Sequence, residues 1–188
     1  APGARPGQGW YVNPWLQPKG AGAWPKTEFS FEGDDSMHVD DAVTRLSRDW
    51  LKKRDRTKPF FLMHHFKSPH DNFENAERYD FLYDKDEMPE PASLWKVPNA
   101  GSVATEGQGT SVGKRNTRRN MGDHMFVDKS LSDEDYKRTA YQRYIKKYLR
   151  CVRGVDDSIE RLIEALQASG DLDNTIILYT SDQGFMLG

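Results

Sequence analysis

The residues best suited to chemistry in this sequence follow its two most apolar short runs. PFFLM (59–63) leads directly into HHFKSPHDNF (64–73), and TIILYT (175–180) leads into SDQGF (181–185). In KSPH a lysine ammonium and an imidazole are joined through Pro69, which stiffens the link. Lys67 and His70 could together bind an anion, and His70 could donate a proton near neutral pH. The alternative is that His70 is a loop histidine with no ligand. In SDQG, Asp182 and Gln183 offer a carboxylate and an amide oxygen, donors that suit Ca²⁺ or Mg²⁺ rather than a soft metal. Gly184 lets the chain turn sharply and approach closely. Read alone, the same residues also describe a plain turn, with Asp182 capping it and Gly184 left-handed.

Other polar groupings carry less chemistry. His64 and His65 read as loop or core histidines, and His38 and His124 have no neighbours in sequence that suggest a site. The pairs Asp34-Asp35 and Asp40-Asp41 lie at the start of a helical pattern, where the positive end of the helix dipole explains them. MGDHM (121–125) has a ligand-like spacing without a third ligand nearby. GxSxG, Walker-loop, HExxH and CxxC motifs do not occur. The single cysteine, Cys151, excludes an internal disulfide and reads as a small packing residue beside an apolar helix stripe.

These groups must be positioned by larger elements. Val43, Leu46 and Trp50 predict a helix from about Val39 to Arg54, ended by Lys58-Pro59. PFFLM then reads as a short buried strand. Residues 66–133 are irregular, with order expected near 66–95 and a mobile loop over 99–120. The strongest period is Tyr141, Ile145, Tyr148, Val152, Val155, Ile159, Leu162 and Leu166. It predicts one helix from about Asp133 to Ala168, roughly 50 Å long at 1.5 Å per residue. Ser169-Gly170 caps it, Asp173-Asn174 turns the chain, and TIILYT reads as a second buried strand. Residues 1–35, rich in Gly, Pro and Trp, read as loop packed by aromatics. The order strand, excursion, helix, strand predicts an α/β layered fold with a largely parallel sheet, in which ligands sit beyond the carboxyl ends of the strands.

Composition narrows the partners. The 188 residues carry a formal charge of −2 and are 30% charged, which gives no general pull toward nucleic acid or an anionic membrane. The basic stretch KRNTRR (114–119) has no interleaved aromatics and reads as a solvated loop. No apolar run approaches the length of about 18 residues that a membrane-spanning helix needs. Residues 1–10 lack the charged start and apolar centre of a signal peptide.

Taken together, PFFLMHHFKSPHDNF and YLRCVRGVDDSIERLIEALQASGDLDNTIILYTSDQGFMLG resemble the formylglycine-dependent sulfatases. The first is similar to their Lys-(Ala/Ser)-Pro-His strand and loop. The second is similar to their long helix, following strand and Ser-Asp-x-Gly metal loop. PGQGWYVNP (6–14) also resembles a loop of the bacterial enzymes related to glucosamine-6-sulfatase and iduronate-type sulfatases. The resemblance implies an alkaline-phosphatase-like fold, a mixed, largely parallel sheet flanked by helices. It implies that Asp182 and Gln183 are ligands of one Ca²⁺, and that His70 contacts the sulfate ester and assists departure of the alcohol. Lys67 would bind sulfate or substrate. The substrate would be a sulfated carbohydrate or another sulfate ester, and the compartment periplasmic, secreted or lysosomal. Related readings are a phosphodiesterase or phosphonate hydrolase of the same superfamily, or a catalytically dead glycan-binding relative.

Parts of the family pattern are missing. Cys-x-Pro-Ser-Arg, which supplies the formylglycine, does not occur, since Cys151 lies in Cys-Val-Arg-Gly. The early Asp-Asp pair, the Lys-x-His before PGQG and the later Glu-His-Gly do not occur either. The resemblance therefore implies a partial catalytic domain over 1–188, a middle segment with an incomplete metal site. Such a segment is expected to be inactive and poorly folded by itself.

Overall fold

The computed structural model describes Tyr11 and residues 37–95, 111–112, 120–182, 184–185 and 187. The loop of 1–35 apart from Tyr11, nearly all of 99–120, the basic stretch 114–119 and Gln183 lie outside the described residues.

Two helices run as expected and one was not foreseen. Helix α1 spans Val39–Lys53, α2 Met121–His124 and α3 Asp133–Ser169. The His38 ring caps α1 by accepting a hydrogen bond from the Asp40 amide, and Asp40 and Asp41 fill its first turn. Ser132 caps α3 by accepting from the Asp135 amide. Gly170 closes it at φ 74°, where a side chain would be strained, with the Asp171 amide donating to the Leu166 carbonyl.

The buried face of α1 differs from the apolar stripe that predicted it. Leu46 and Trp50 are exposed, whereas Asp40, Thr44, Ser47 and Leu51 are buried. This face is polar because it holds the loop that carries Lys67. The Lys67 amide donates to Asp40 Oδ1 at 2.8 Å, and Ser47 Oγ lies 2.8 Å from His64 Nδ1. His64 is thus a structural histidine, as expected.

On α3 the inward side is carried by Tyr136, Ala140, Tyr144 and Cys151, which join Phe73, Met121, Met125 and Val127 in the main core. Cys151 is a packing residue, as its place beside the stripe implied. Burial pushes its thiol up to about 12, which leaves it unreactive. Val152, assigned to the stripe, is exposed instead. Residues 82–95, irregular apart from one 3₁₀ turn at Ala92–Leu94, are tied to α3 along their length. Arg150 Nε donates to the Leu82 carbonyl, Gln142 pairs with the Met88 backbone in both directions, and Arg138 pairs with Glu90.

An ionic cluster joins α1 to α3. Asp41 accepts two bonds from Arg78 and one from Arg161 at 2.6–2.9 Å, and Tyr79 donates to Asp157 at 2.7 Å. Burial pushes against the charged form of Asp41, but the two guanidiniums outweigh it and hold the carboxyl below its ordinary range.

The two expected buried strands differ from expectation. Residues 59–63 and 175–180 carry no helix or ladder, and no sheet forms among the described residues. They are also exposed: Phe61 to 84%, Ile176 to 89% and Leu178 to 87%. Apolar side chains of this size rarely stand in water in a row unless another surface covers them. No helix among the described residues is long and apolar enough to cross a membrane.

Candidate functional site

The loop after residue 63 folds back on itself. The His70 amide donates to the Lys67 carbonyl and the Phe73 amide to the His70 carbonyl, so successive turns hold the Lys67–Phe73 backbone. Phe73 drives this arrangement. Its ring is fully buried in the main core, edge-on to Tyr144 with centroids 5.1 Å apart. Tyr11 fastens the loop from the other side. Its carbonyl accepts from the Val39 amide at the start of α1, and its hydroxyl donates to the His70 carbonyl. The Tyr11 ring also lies beneath Lys67, whose Nζ stands 4.6 Å from the ring centroid.

Lys67 is therefore partly desolvated against an aromatic face. That burial lowers its pKa from the ordinary lysine value, and the charges of Asp71, Asp40 and Glu74 oppose the shift. A cation in such a setting gains by pairing with an incoming anion.

The end of the chain returns to the same core. Phe185 packs edge-on against Phe73 at 5.2 Å and against Tyr144 at 6.3 Å, and Leu187 packs on both core clusters. Phe185 is three residues beyond Asp182, as Phe73 is beyond His70, and three residues of chain span at most about 10 Å. The structure thus packs the ring that follows SDQG against the ring that follows KSPH, beside α3, although Phe73 and Phe185 are 112 positions apart in sequence. The Asp182 carboxylate is exposed and makes no ion pair among the described residues. Its hard oxygen donors fit a hard cation, yet no three His, Cys, Asp or Glu side chains converge into a metal site among the described residues. Lys67 and His70 share one turn, Asp182 lies three residues before the anchored Phe185, and Gln183 is outside the described residues.

Three participants were not foreseen. Tyr11 had no assigned role. Asp71 follows the motif and lies against His70, with Oδ1 2.6 Å from Nδ1. His124, read as isolated, places its Nδ1 3.6 Å from Asp71 Oδ2. The correction for His124 is tertiary: α2 is pressed onto α3 at Gly122, where a Cβ would lie 2.2 Å from the Tyr136 ring. Asn120 caps α2 and accepts from the Tyr136 hydroxyl at 3.0 Å. Asp71 was visible in the sequence as a titratable neighbour of His70, while His124 showed only as part of MGDHM, with nothing in sequence to tie it to Asp71.

A family model described as Sulfatase matches residues 5–188. An N-acetylglucosamine-6-O-sulfatase from Bacteroides thetaiotaomicron is 31% identical over 80% of this chain and 34% of its own length. An arylsulfatase from Clostridium perfringens is 28% identical over 88% of this chain and 30% of its own length. The solved complex of BT4656 with its substrate D-glucosamine-2-N,6-O-disulfate superposes with a TM-score of 0.70 at 28% identity, covering 96% of this chain and 42% of that one. The chain spans about a third of the length of the curated relatives it matches.

Proposed function

Because the chain belongs to the sulfatase family, and its fold is that of a sulfatase, we propose that the whole protein hydrolyses a sulfate ester of an amino sugar in a glycan. The observation that supports this most is the meeting of Tyr11, the KSPH turn and Phe185 beside one end of the core. It supports a reading in which the cation and imidazole of the KSPH turn and the carboxylate of the SDQG segment serve one site.

In this reading Lys67 binds the sulfate. Its ammonium is already partly stripped of water, so pairing with an anion recovers the interaction that burial removed. His70 stands at the ester oxygen and gives a proton to the departing alcohol, which a sugar hydroxyl needs because its alkoxide is a poor leaving group. Asp182 and Gln183 contribute oxygen donors to one Ca²⁺, completed by ligands other than the described residues. Bound there, the cation would draw negative charge from the sulfate oxygens. The nucleophile is the formylglycine hydrate that the family resemblance implies, supplied from outside these 188 residues. The extended runs 59–63 and 175–180 become strands of a mixed, largely parallel sheet, which accounts for their bare apolar side chains.

Turnover of N-acetylglucosamine-6-O-sulfate by the whole protein, with and without His70→Ala, tests this. The expected loss is about 10²–10⁴-fold, the range for a general acid. Absence of turnover in the wild type, or full turnover in the variant, contradicts it.

A further inference from the structure

His70 does not stand alone. Its Nδ1 faces two acceptors of the next residue, the Asp71 carboxylate at 2.6 Å and the Asp71 carbonyl at 2.7 Å. With acceptors on both approaches, Nδ1 must carry a hydrogen, and Nε2 is the nitrogen left for other work. The second Asp71 oxygen faces His124 Nδ1 at 3.6 Å. That nitrogen is buried and finds no hydrogen-bond partner among the described residues. A buried ring nitrogen without a partner costs free energy, and a few tenths of an ångström of approach to Asp71 would remove the cost. Nothing on α2 needs a histidine for packing, since Met121 and Met125 supply its apolar contacts.

We infer that Asp71 and His124 are positioning residues for His70, with Asp71 holding the imidazole in its Nδ1–H tautomer and His124 holding the far oxygen of Asp71. This rests on the sulfatase reading for the role of His70. During hydrolysis a hydroxyl oxygen of the formylglycine hydrate of the proposed reading would bond to sulfur as the sulfur–oxygen ester bond breaks, and the ester oxygen leaves with the bonding pair. It takes the proton from Nε2 of the imidazolium, and the ring ends as the neutral Nδ1–H form that Asp71 already fixes. The Tyr11 hydroxyl on the His70 carbonyl and the two turns hold the backbone, so Asp71 and His124 are left to set the ring. The arrangement has three consecutive partners carried by two pieces of the fold: His70 and Asp71 by the Lys67–Phe73 turns, and His124 by α2.

Two readouts on the whole protein test the inference. The first is nitrogen NMR of histidine-labelled wild type, with the His70 signals identified by their loss in His70→Ala. In the neutral form of His70 the hydrogen is expected on Nδ1, and a neutral Nε2–H form overturns the inference without reference to activity. The second compares a sugar sulfate with a nitrophenyl sulfate, whose leaving group needs little protonation. Asp71→Ala is expected to lower the ratio of kcat/KM for sugar over nitrophenyl ester by about 10–100-fold, the usual weight of an outer partner. His124→Gln lowers the same ratio by less. An unchanged ratio, or equal losses on both esters, shows that these residues only support the fold and overturns the inference. A wild type that turns over neither ester defeats the sulfatase reading instead, and the tautomer then decides the positioning claim.

Discussion

Removing the Phe185 ring should loosen the SDQG segment from the core without unfolding the protein. Phe185 is 39% exposed, so about three-fifths of a phenylalanine is withdrawn from water. Full burial of such a ring is worth about 1.5–3 kcal/mol, which scales to about 1–2 kcal/mol here. The edge-on pairs with Phe73 and Tyr144, at 5.2 and 6.3 Å, add about 0.5–1.5 kcal/mol each. Phe185→Ala should therefore destabilise by about 2–5 kcal/mol in urea unfolding. The more telling quantity is its coupling to Phe73. A double-mutant cycle with Phe185→Ala and Phe73→Leu should return about 0.5–1.5 kcal/mol of interaction, because each substitution removes the same ring pair. Additivity within about 0.3 kcal/mol would refute the claim that this contact joins the two motif segments.

Three further outcomes follow from particular contacts. Gly122→Ala places a methyl group 2.2 Å from the Tyr136 ring, so it should cost about 1–3 kcal/mol in thermal or urea unfolding. Asp41 has a folded pKa held below its unfolded value, so its contribution is present above about pH 3.9 and disappears as the pH falls through the lower folded value. Acid titration of Asp41→Asn should accordingly show a shallower loss of stability in that window than the wild type. Cys151, with its thiol pushed up to about 12 by burial, should resist iodoacetamide at neutral pH and react once urea opens the core.

How far the sequence carried depended on whether a feature was local. Helix α3 was legible almost to the residue because its period and its Ser169-Gly170 stop are local signals. Lys67, His70 and Asp182 stood out as candidates because each follows an apolar run that ends abruptly. The wrong face of α1 came from reading apolarity as burial. Asp40 and Ser47 turn inward to bind the loop at Lys67 and His64, a demand that appears only once that loop is folded. His124 escaped for the same reason. Its approach to Asp71 depends on a glycine pressed against Tyr136 from a helix of four residues, too short to announce itself by period. The apolar runs 59–63 and 175–180 were read as buried from composition, which states what the side chains require but not what supplies the cover.

The central claim is that Lys67, His70 and Asp182 serve one sulfate. A crystal structure of the whole protein carrying His70→Ala, with N-acetylglucosamine-6-O-sulfate and Ca²⁺, tests it most directly. The account predicts a sulfate oxygen about 3 Å from Lys67 Nζ and a Ca²⁺ bound to that sulfate and to Asp182 at about 2.3–2.6 Å. A sulfate held away from Lys67, or a cation bound without Asp182, would contradict it.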